Sequence, residues 1–314
     1  MSDGYTPSMT ELVLRRLGHG DEERARRFLF AHPERDLYLR GLVLRLGTVL
    51  PPGCGVLYGA LSGDRLVGIF LHSPTLLLAS PSPAALEAFA AHVAAHIDEQ
   101  PVTEVLGPAD MVRGFFDAFR ALRPEFPAVR LYRDDLPLLE LRSTDLTRRL
   151  VTAPGGGRVT AGPLRRAVDR DIEVLTAACR AMTVEELGVD PAEEDPVAFH
   201  RNVERKVRAG REYVWTENTE ILFRAAVSTS TPEAALVEGV FTPPTHRGRG
   251  LATRGMLALC RRLLRNHSAV VLFVSAGNGP ALRLYDRLGF RRIGTYQAVY
   301  FSNPSSVPSR AVAP

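Results

Sequence analysis

The chain has 314 residues, more than one average domain, and its 45% hydrophobic and 24% charged content is that of a folded globular protein. The net charge of +4 is small for this length and comes from arginines spread through helical patterns, with Lys206 the only lysine, so no basic tract marks a nucleic-acid partner. Cys54, Cys179 and Cys260 are too far apart to suggest a disulfide framework or a zinc site, and no basic-then-apolar leader or membrane-length apolar run is present; a cytoplasmic protein without a membrane partner is expected.

In chain order, residues 1–10 read as a loose tail and 11–17 as a strand, followed by helix from about 21 to 46 with a break near Pro33. Residues 55–61 and 65–71 flank Ser62-Gly63-Asp64 and form a hairpin by turn chemistry. A strand at 75–79 runs through Ser80-Pro81-Ser82-Pro83 into an alanine-rich helix ending near Ile97. A strand at 104–107, a helix over 110–121 and a strand at 138–141 complete the first half. His92 and His96 lie one helical turn apart, a spacing that can chelate a metal. With no HExxH glutamate and no evident third ligand they read as a solvated helix face, and no metal is expected.

Ala153-Pro154-Gly155-Gly156-Gly157 is the expected linker. Beyond it, 158–165 reads as a strand, 171–182 as a helix, 183–196 as an acidic, proline-punctuated segment and 197–209 as a helix. Strands follow at 212–217, 221–228 and 234–241, and the last of them opens through His246-Arg247-Gly248-Arg249-Gly250-Leu251-Ala252-Thr253-Arg254 into a helix. Glycines let the backbone approach a ligand, and the first N–H groups of a helix point outward unpaired. With the helix dipole and Arg247 and Arg249 nearby, the turn is a seat for a phosphate or pyrophosphate. It is neither a dinucleotide fingerprint, because Thr253 stands where a glycine is needed, nor a Walker loop, because no lysine is present.

The turn matches Arg-x-x-Gly-x-Ala at Arg247, Gly250 and Ala252, and resembles the acyl-CoA pyrophosphate loop of the GNAT superfamily of N-acetyltransferases. A second motif supports the resemblance. The apolar run 269–274 leads to Asn278, Ala281, Tyr285, Gly289 and Phe290, which fill the pattern Asn-x-x-Ala-x-x-x-Tyr-x-x-x-Gly-Phe without a gap. The resemblance implies an α/β fold with a mixed sheet: a GNAT acetyltransferase domain over 158–302 and a tail at 303–314 read as disordered. Residues 1–152 follow the same order of elements without a CoA loop. They read as a degenerate GNAT-like half that packs against the active half and lends a wall to the acceptor cleft.

The resemblance also implies roles. Acetyl-CoA is the expected cosubstrate, held by Val240, Phe241 and Thr242 on a bulged strand, by Arg247, Gly248, Arg249, Gly250, Leu251, Ala252 and Thr253 at the turn, and by Asn278 and Tyr285. Tyr285 is the candidate proton donor to the departing thiolate. Glu238, two residues before Val240 and on the same side of the strand, is the candidate general base if an apolar cleft raises its pKa. The acceptor is expected to be a primary amine of a small molecule or peptide, drawn in by Glu185, Glu186, Asp190, Glu193, Glu194 and Asp195 if these form an acidic rim. A homodimer is compatible with the sequence. Alternatives are a mycothiol-synthase-like or aminoacyl-transferring tandem enzyme, and a non-catalytic acyl-CoA sensor.

Overall fold

Turn chemistry and apolar periodicity place most elements where the chain folds them. A computed structural model describes residues 12–31, 35–124, 129–148 and 159–301; the expected tails at 1–10 and 303–314 and the linker at 153–157 lie outside the described residues. The first half carries β1 (Leu12–Arg16), α1 (Glu22–Phe30), α2 (Leu37–Leu46), β2 (Val56–Ser62), β3 (Arg65–His72), β4 (Thr75–Ala79), α3 (Pro83–His96), β5 (Glu104–Pro108) and α4 (Ala109–Leu122). Then come β6 (Val129–Arg142), α5 (Ser143–Arg148), β7 (Arg165–Arg166), α6 (Ile172–Leu187), α7 (Pro191–Glu194) and α8 (Pro196–Arg208). The rest comprises β8 (Glu212–Glu217), β9 (Glu220–Ser230), β10 (Ala234–Phe241), α9 (Leu251–Leu263), β11 (Ala269–Phe273), α10 (Gly279–Leu288) and β12 (Arg291–Phe301).

The chain divides into two compact units, Met1–Asp134 with Tyr296–Pro314, and Asp135–Thr295. In the first, strands run in the order β1-β2-β3-β4-β5-β12, and β4 with β5 is the one parallel pair among those described. The second has the order β6-β11-β10-β9-β8-β7, and β10 with β11 is its parallel pair. The expected strand at 138–141 is the end of β6. It pairs with β11, from Ala269↔Arg142 to Phe273↔Leu138. The end of β12 pairs with β5, from Tyr296↔Pro108 to Tyr300↔Glu104. Each unit is therefore completed by a strand from the other half of the sequence.

Two apolar layers cover each sheet. In the first unit Phe89, Phe115 and Phe119 lie in one and Leu29, Leu39 and Ile69 in the other. In the second unit Met256, Leu259 and Leu288 lie in one and Leu175, Val203 and Val214 in the other. The two units also share a clamp at their first strand. Arg15 donates to both carboxylate oxygens of Asp21 at 2.7 Å, and Gly18 N–H donates to the same group at 2.9 Å. Arg165 donates to Asp171 at 2.6 and 2.8 Å, and Val168 N–H at 2.8 Å. Such bidentate, charge-assisted bonds fix the angle at which a strand enters its helix. The Arg15 guanidinium holds the Asp21 carboxyl down to about 2, so this contribution is complete above the ordinary carboxylate range and is lost as pH falls toward 2.

Two expectations change. Residues 159–164 form no strand, and only Arg165–Arg166 joins the ladder as β7. Gly162 N–H donates instead to Arg254 O at 3.0 Å, and its Cα lies so close to Trp215 that a Cβ would stand 2.5 Å from the ring. The helix expected to end near 182 continues as α6 through Leu187 and stops at left-handed Gly188, φ +67. That takes Glu185 and Glu186 out of the loop.

The His92 and His96 pair is not a solvated face. The His92 ring lies 4.2 Å from the Tyr58 centroid and 4.3 Å from His96, and buried His72 on β3 is 5.5 Å away. His96 and His92 stack, and among the described residues no group of three His, Cys, Asp or Glu could hold a metal ion. Burial, then the neighbouring His96 and His72, holds the His92 pKa down to about 4, below its ordinary 6.5. The unfolded chain therefore takes up this proton first, and stability should fall as pH drops from 6.5 toward 4. His92→Phe keeps the ring packing and cannot titrate. Its thermal midpoint should depend less on pH across that window than wild type, and an identical slope would count against the assignment.

Candidate active site

β10 pairs with β11 only from Ala234↔Ala269 to Leu236↔Val271, after which the two strands part. On its other side it stays with β9, but the register slips: Glu238 faces Ala226 while Phe241 faces Arg224, so one extra residue stands on β10. This is a β-bulge, and Gly239 takes the left-handed conformation it needs, φ +59. Residues 237–241 thus pass the gap beside β11 with no ladder partner there among the described pairs. Backbone groups in such a gap are free to meet a ligand. Val240 and Thr242 are half-buried and Phe241 is buried, so Val240, Phe241 and Thr242 offer main chain at this point.

After Thr242 the chain makes a short 3-10 turn, Pro244–His246, and reaches the arginine–glycine stretch. Gly248 has φ +76 and Gly250 φ +73, and no atom lies within 4 Å of where either Cβ would stand. Gly250 is the N-cap of α9 and supplies no side-chain cap, so the outward N–H groups of the first turn face an open, glycine-lined cradle. These residues fit a pyrophosphate. Leu251 and Thr253 are buried and Ala252 is half-buried, which leaves them a main-chain role. Arg249 is exposed and lies 3.3 Å from His246 Nδ1. Arg247 is already engaged: Nε donates to Thr242 O at 3.0 Å and a terminal nitrogen to Glu185 at 2.6 Å.

The corresponding turn in the first unit differs. Ser82 Oγ caps α3 by accepting from Ala85 N–H at 3.4 Å, Ser82 N–H donates to Ser80 Oγ at 3.1 Å, and Ser80 N–H points to Met111 Sδ at 3.2 Å. Pro81 and Pro83 have no N–H to give. Two of the positions thus lack a donor, and the N–H groups of Ser80, Ser82 and Ala85 are already directed to side chains. The β3–β4 pairing beside this turn also carries no bulge, from Ile69↔Ala79 to Leu71↔Leu77.

Tyr285 and Asn278 sit on and before α10. Tyr285 is buried in the apolar layer that holds Leu251, Met256 and Cys260, with half-buried Val240 packed against it. Burial pushes the Tyr285 hydroxyl well above its ordinary value, and Cys260 and Glu186 add to the shift. The phenol therefore keeps its proton at neutral pH, as a donor must. Cys260, pushed up to about 12 by burial, stays a thiol. Asn278 Oδ1 caps α10 by accepting from Ala281 N–H at 3.1 Å, and its Nδ2 is not used in the cap.

Glu238 is not on the side of Val240, because the bulge at Gly239 breaks the alternation and Val240 packs on the opposite layer, nor is it the lone carboxylate in an apolar cleft that its position suggests. Lys206 Nζ from α8 donates to its Oε1 at 3.0 Å, and the Glu238 charge holds the ammonium above the ordinary lysine value. Cross-strand register adds two more charges. Glu212 and Glu238 both pair with Ala226, from either side, and Arg224 pairs with both Val214 and Phe241. Partners across a ladder share a face, so Arg224, Glu212 and Glu238 all point toward α6 and α8. A terminal nitrogen of Arg224 donates to Glu212 at 2.7 and 2.9 Å, with side chains only 3% and 1% exposed. Sequence reading missed this pair, although an arginine inside the apolar run 221–226 was its signal.

The acidic segment is largely committed elsewhere. Asp190 pairs with Arg180 and caps α7 through Ala192 N–H at 3.0 Å, Asp195 caps α8 through Ala198 N–H at 2.8 Å, and Glu185 holds Arg247. The expected rim is therefore poorer in unpaired carboxylates than the sequence suggests.

Comparison with known proteins bears on the fold. Residues 223–300 match the family model described as FR47-like protein. A tandem GNAT protein from the clavulanic acid biosynthesis pathway is 19% identical, with TM-score 0.54, 93% of this chain and 99% of that chain covered. A GCN5-related N-acetyltransferase from Sphaerobacter thermophilus is 15% identical, with TM-score 0.55 and 92% and 94% covered. A Drosophila protein is 14% identical, with TM-score 0.61 and 92% and 98% covered. No curated protein matches the sequence. At these identities the likeness is one of fold: the chain has a mixed α/β fold like that of a tandem GNAT protein.

Removing one member of the buried pair leaves a charge without a partner, which typically costs about 3–5 kcal/mol. Glu212→Ala should lower the unfolding free energy from urea titration by an amount of that order. A loss below about 1 kcal/mol would mean Arg224 finds water or another acceptor there.

Proposed function

We propose that the Asp135–Thr295 unit transfers an acetyl group from acetyl-CoA to a primary amine of a small molecule or peptide. The observation that carries this reading is the continuous path from the bulged, parted strand β10 to the uncapped, glycine-lined start of α9. Acetyl-CoA, when bound, supplies an activated acetyl thioester. Main-chain N–H groups of Gly248–Thr253 hold the pyrophosphate, with Arg249 and the dipole of α9 adding charge. Main chain at Val240, Phe241 and Thr242 orients the acetyl arm and donates to its carbonyl oxygen, where negative charge gathers during attack. Tyr285 keeps its proton until the thiolate leaves and then gives it up. Asn278 Nδ2 serves the pantetheine arm while Oδ1 holds the helix.

The incoming amine must lose a proton to attack, and an ordinary lysine-like amine has a pKa of about 10.4. Glu238 is the carboxylate nearest the bulge along the strand. Because Lys206 already pairs with it, holding a proton would cost that ion pair, so Glu238 passes the proton on to water. The same ion pair favours a second reading, an acyl-CoA binder that does not turn over.

One assay separates the two. Release of CoA thiol from acetyl-CoA is followed across a panel of amines and peptides. Turnover that depends on one acceptor supports the enzyme, while tight binding with no thiol release supports the binder. Tyr285→Phe should lower kcat by about a hundredfold, the usual scale for a lost proton donor, with acetyl-CoA affinity nearly unchanged. An unaltered kcat would remove Tyr285 from the mechanism.

A further inference from the structure

We propose that Arg224 is the positioning residue for the bulge in β10: its guanidinium, anchored by Glu212, holds residues 239–241 in the shape that receives the acetyl oxygen. This rests on the acetyl-transfer reading above and assigns a residue to it that touches neither substrate.

Arg224 is 2% exposed, and its side chain is fixed from two elements. Glu212 on β8 accepts from one terminal nitrogen at 2.7 and 2.9 Å, and Met182 Sδ on α6 lies 3.6 Å from the other. The group so fixed sits directly beneath the bulge. A Cβ built on Gly239 would stand 2.8 Å from one terminal nitrogen, 2.9 Å from the other and 3.1 Å from Cζ. Both terminal nitrogens are nearer than Cζ, so the edge of the guanidinium that carries them is turned to the glycine. Position 239 is thus closed to any side chain twice over, by its φ of +59 and by the arginine below it. The backbone of Arg224 also pairs with Phe241, the residue at which register resumes. One residue therefore supports the bulge from below and ends it in the ladder.

The other unit provides the contrast. In each unit the pair nearest the turn joins the strand that leads into the helix to its antiparallel neighbour. In the Asp135–Thr295 unit that pair is Phe241↔Arg224; in the other it is Ala79↔Ile69. Ile69 is wholly buried, and β3 with β4 keeps an unbroken register. The flat strand leads into the turn whose donors are spent, and the bulged strand leads into the open one. A buried ion pair seldom stabilises a fold more than apolar side chains of the same volume. Stability alone thus gives no reason for Arg224 and Glu212 where Ile69 suffices in the companion unit. Shaping the bulge does, and the member of the pair beneath it carries the sign that favours negative charge on an oxygen bound above.

The test is the double variant Arg224→Met with Glu212→Leu, which removes both charges and fills their volume. It should unfold at a temperature equal to or above wild type and bind acetyl-CoA within about threefold of wild type. Its kcat in the thiol-release assay should fall by about 10–100-fold, the scale of a misplaced oxyanion donor. A folded double variant with wild-type kcat would overturn the proposal. If the double variant fails to fold, Arg224→Lys decides: it keeps the charge beside Glu212 and loses the two-nitrogen edge beneath Gly239, so kcat should fall similarly, and an unchanged kcat would refute the role. Should wild type itself release no thiol with any acceptor, the acetyl-transfer reading fails on its own. The support of the bulge is then read from amide hydrogen exchange at Val240 and Phe241, which should quicken in whichever variant folds; unchanged exchange there would sink it.

Discussion

The path of β10 governs everything else in the Asp135–Thr295 unit. It is joined to β11 over three residues and then leaves it, while its other edge stays with β9 through two register slips, the second of them at the Gly239 bulge. A strand that stayed paired on both sides would have its N–H and C=O groups consumed, and nothing beside β11 could be held by main chain. Parting the strands is costly unless something keeps them apart. Left-handed Gly239 and the charged side chains packed on the α6 and α8 face do so from below. At the far end of the same strand the chain turns through two further left-handed glycines into α9. In the acetyl-transfer reading proposed above, one strand and the helix it enters address both ends of an extended anionic cosubstrate.

The two units show how little needs to change for a shared architecture to gain or lose this capacity. Both have the same strand order, a single parallel pair at the same place among the described pairs, and the same arginine–aspartate clamp at the first strand. They diverge where the fourth strand meets its helix. One has Ser82 as cap with proline on each side; the other has Gly250 with no cap. A side-chain cap stabilises a helix by occupying the donors that a phosphate would use, so capping and anion binding at one terminus are alternatives.

Much of the site was legible in sequence because it rests on residues with narrow physical uses. Gly248, Gly250, Asn278 and Gly289 are where a left-handed turn or a cap has to be, and the structure has them there. Side-chain partners were not legible. Glu238 reads as isolated because Lys206 is 32 residues away, and His92 reads as solvated because Tyr58 and His72 come from β2 and β3, far from α3 in the sequence. The pairing of 138–142 with β11 was also hidden, since apolar alternation defines a strand but not which neighbour it finds. The clamp went unread: Arg-Arg followed by aspartate stands at both 15–21 and 165–171, but only the bonds show what the repeat does.

The central claim is that main-chain donors at the β10–α9 junction, and not at its counterpart, hold one acyl-CoA. Calorimetric titration of the whole chain with acetyl-CoA tests it most directly. About one cosubstrate should bind per chain, with binding abolished by Gly248→Val with Gly250→Val and untouched by Ser82→Ala. No binding, two per chain, or full affinity in the glycine variant would contradict it.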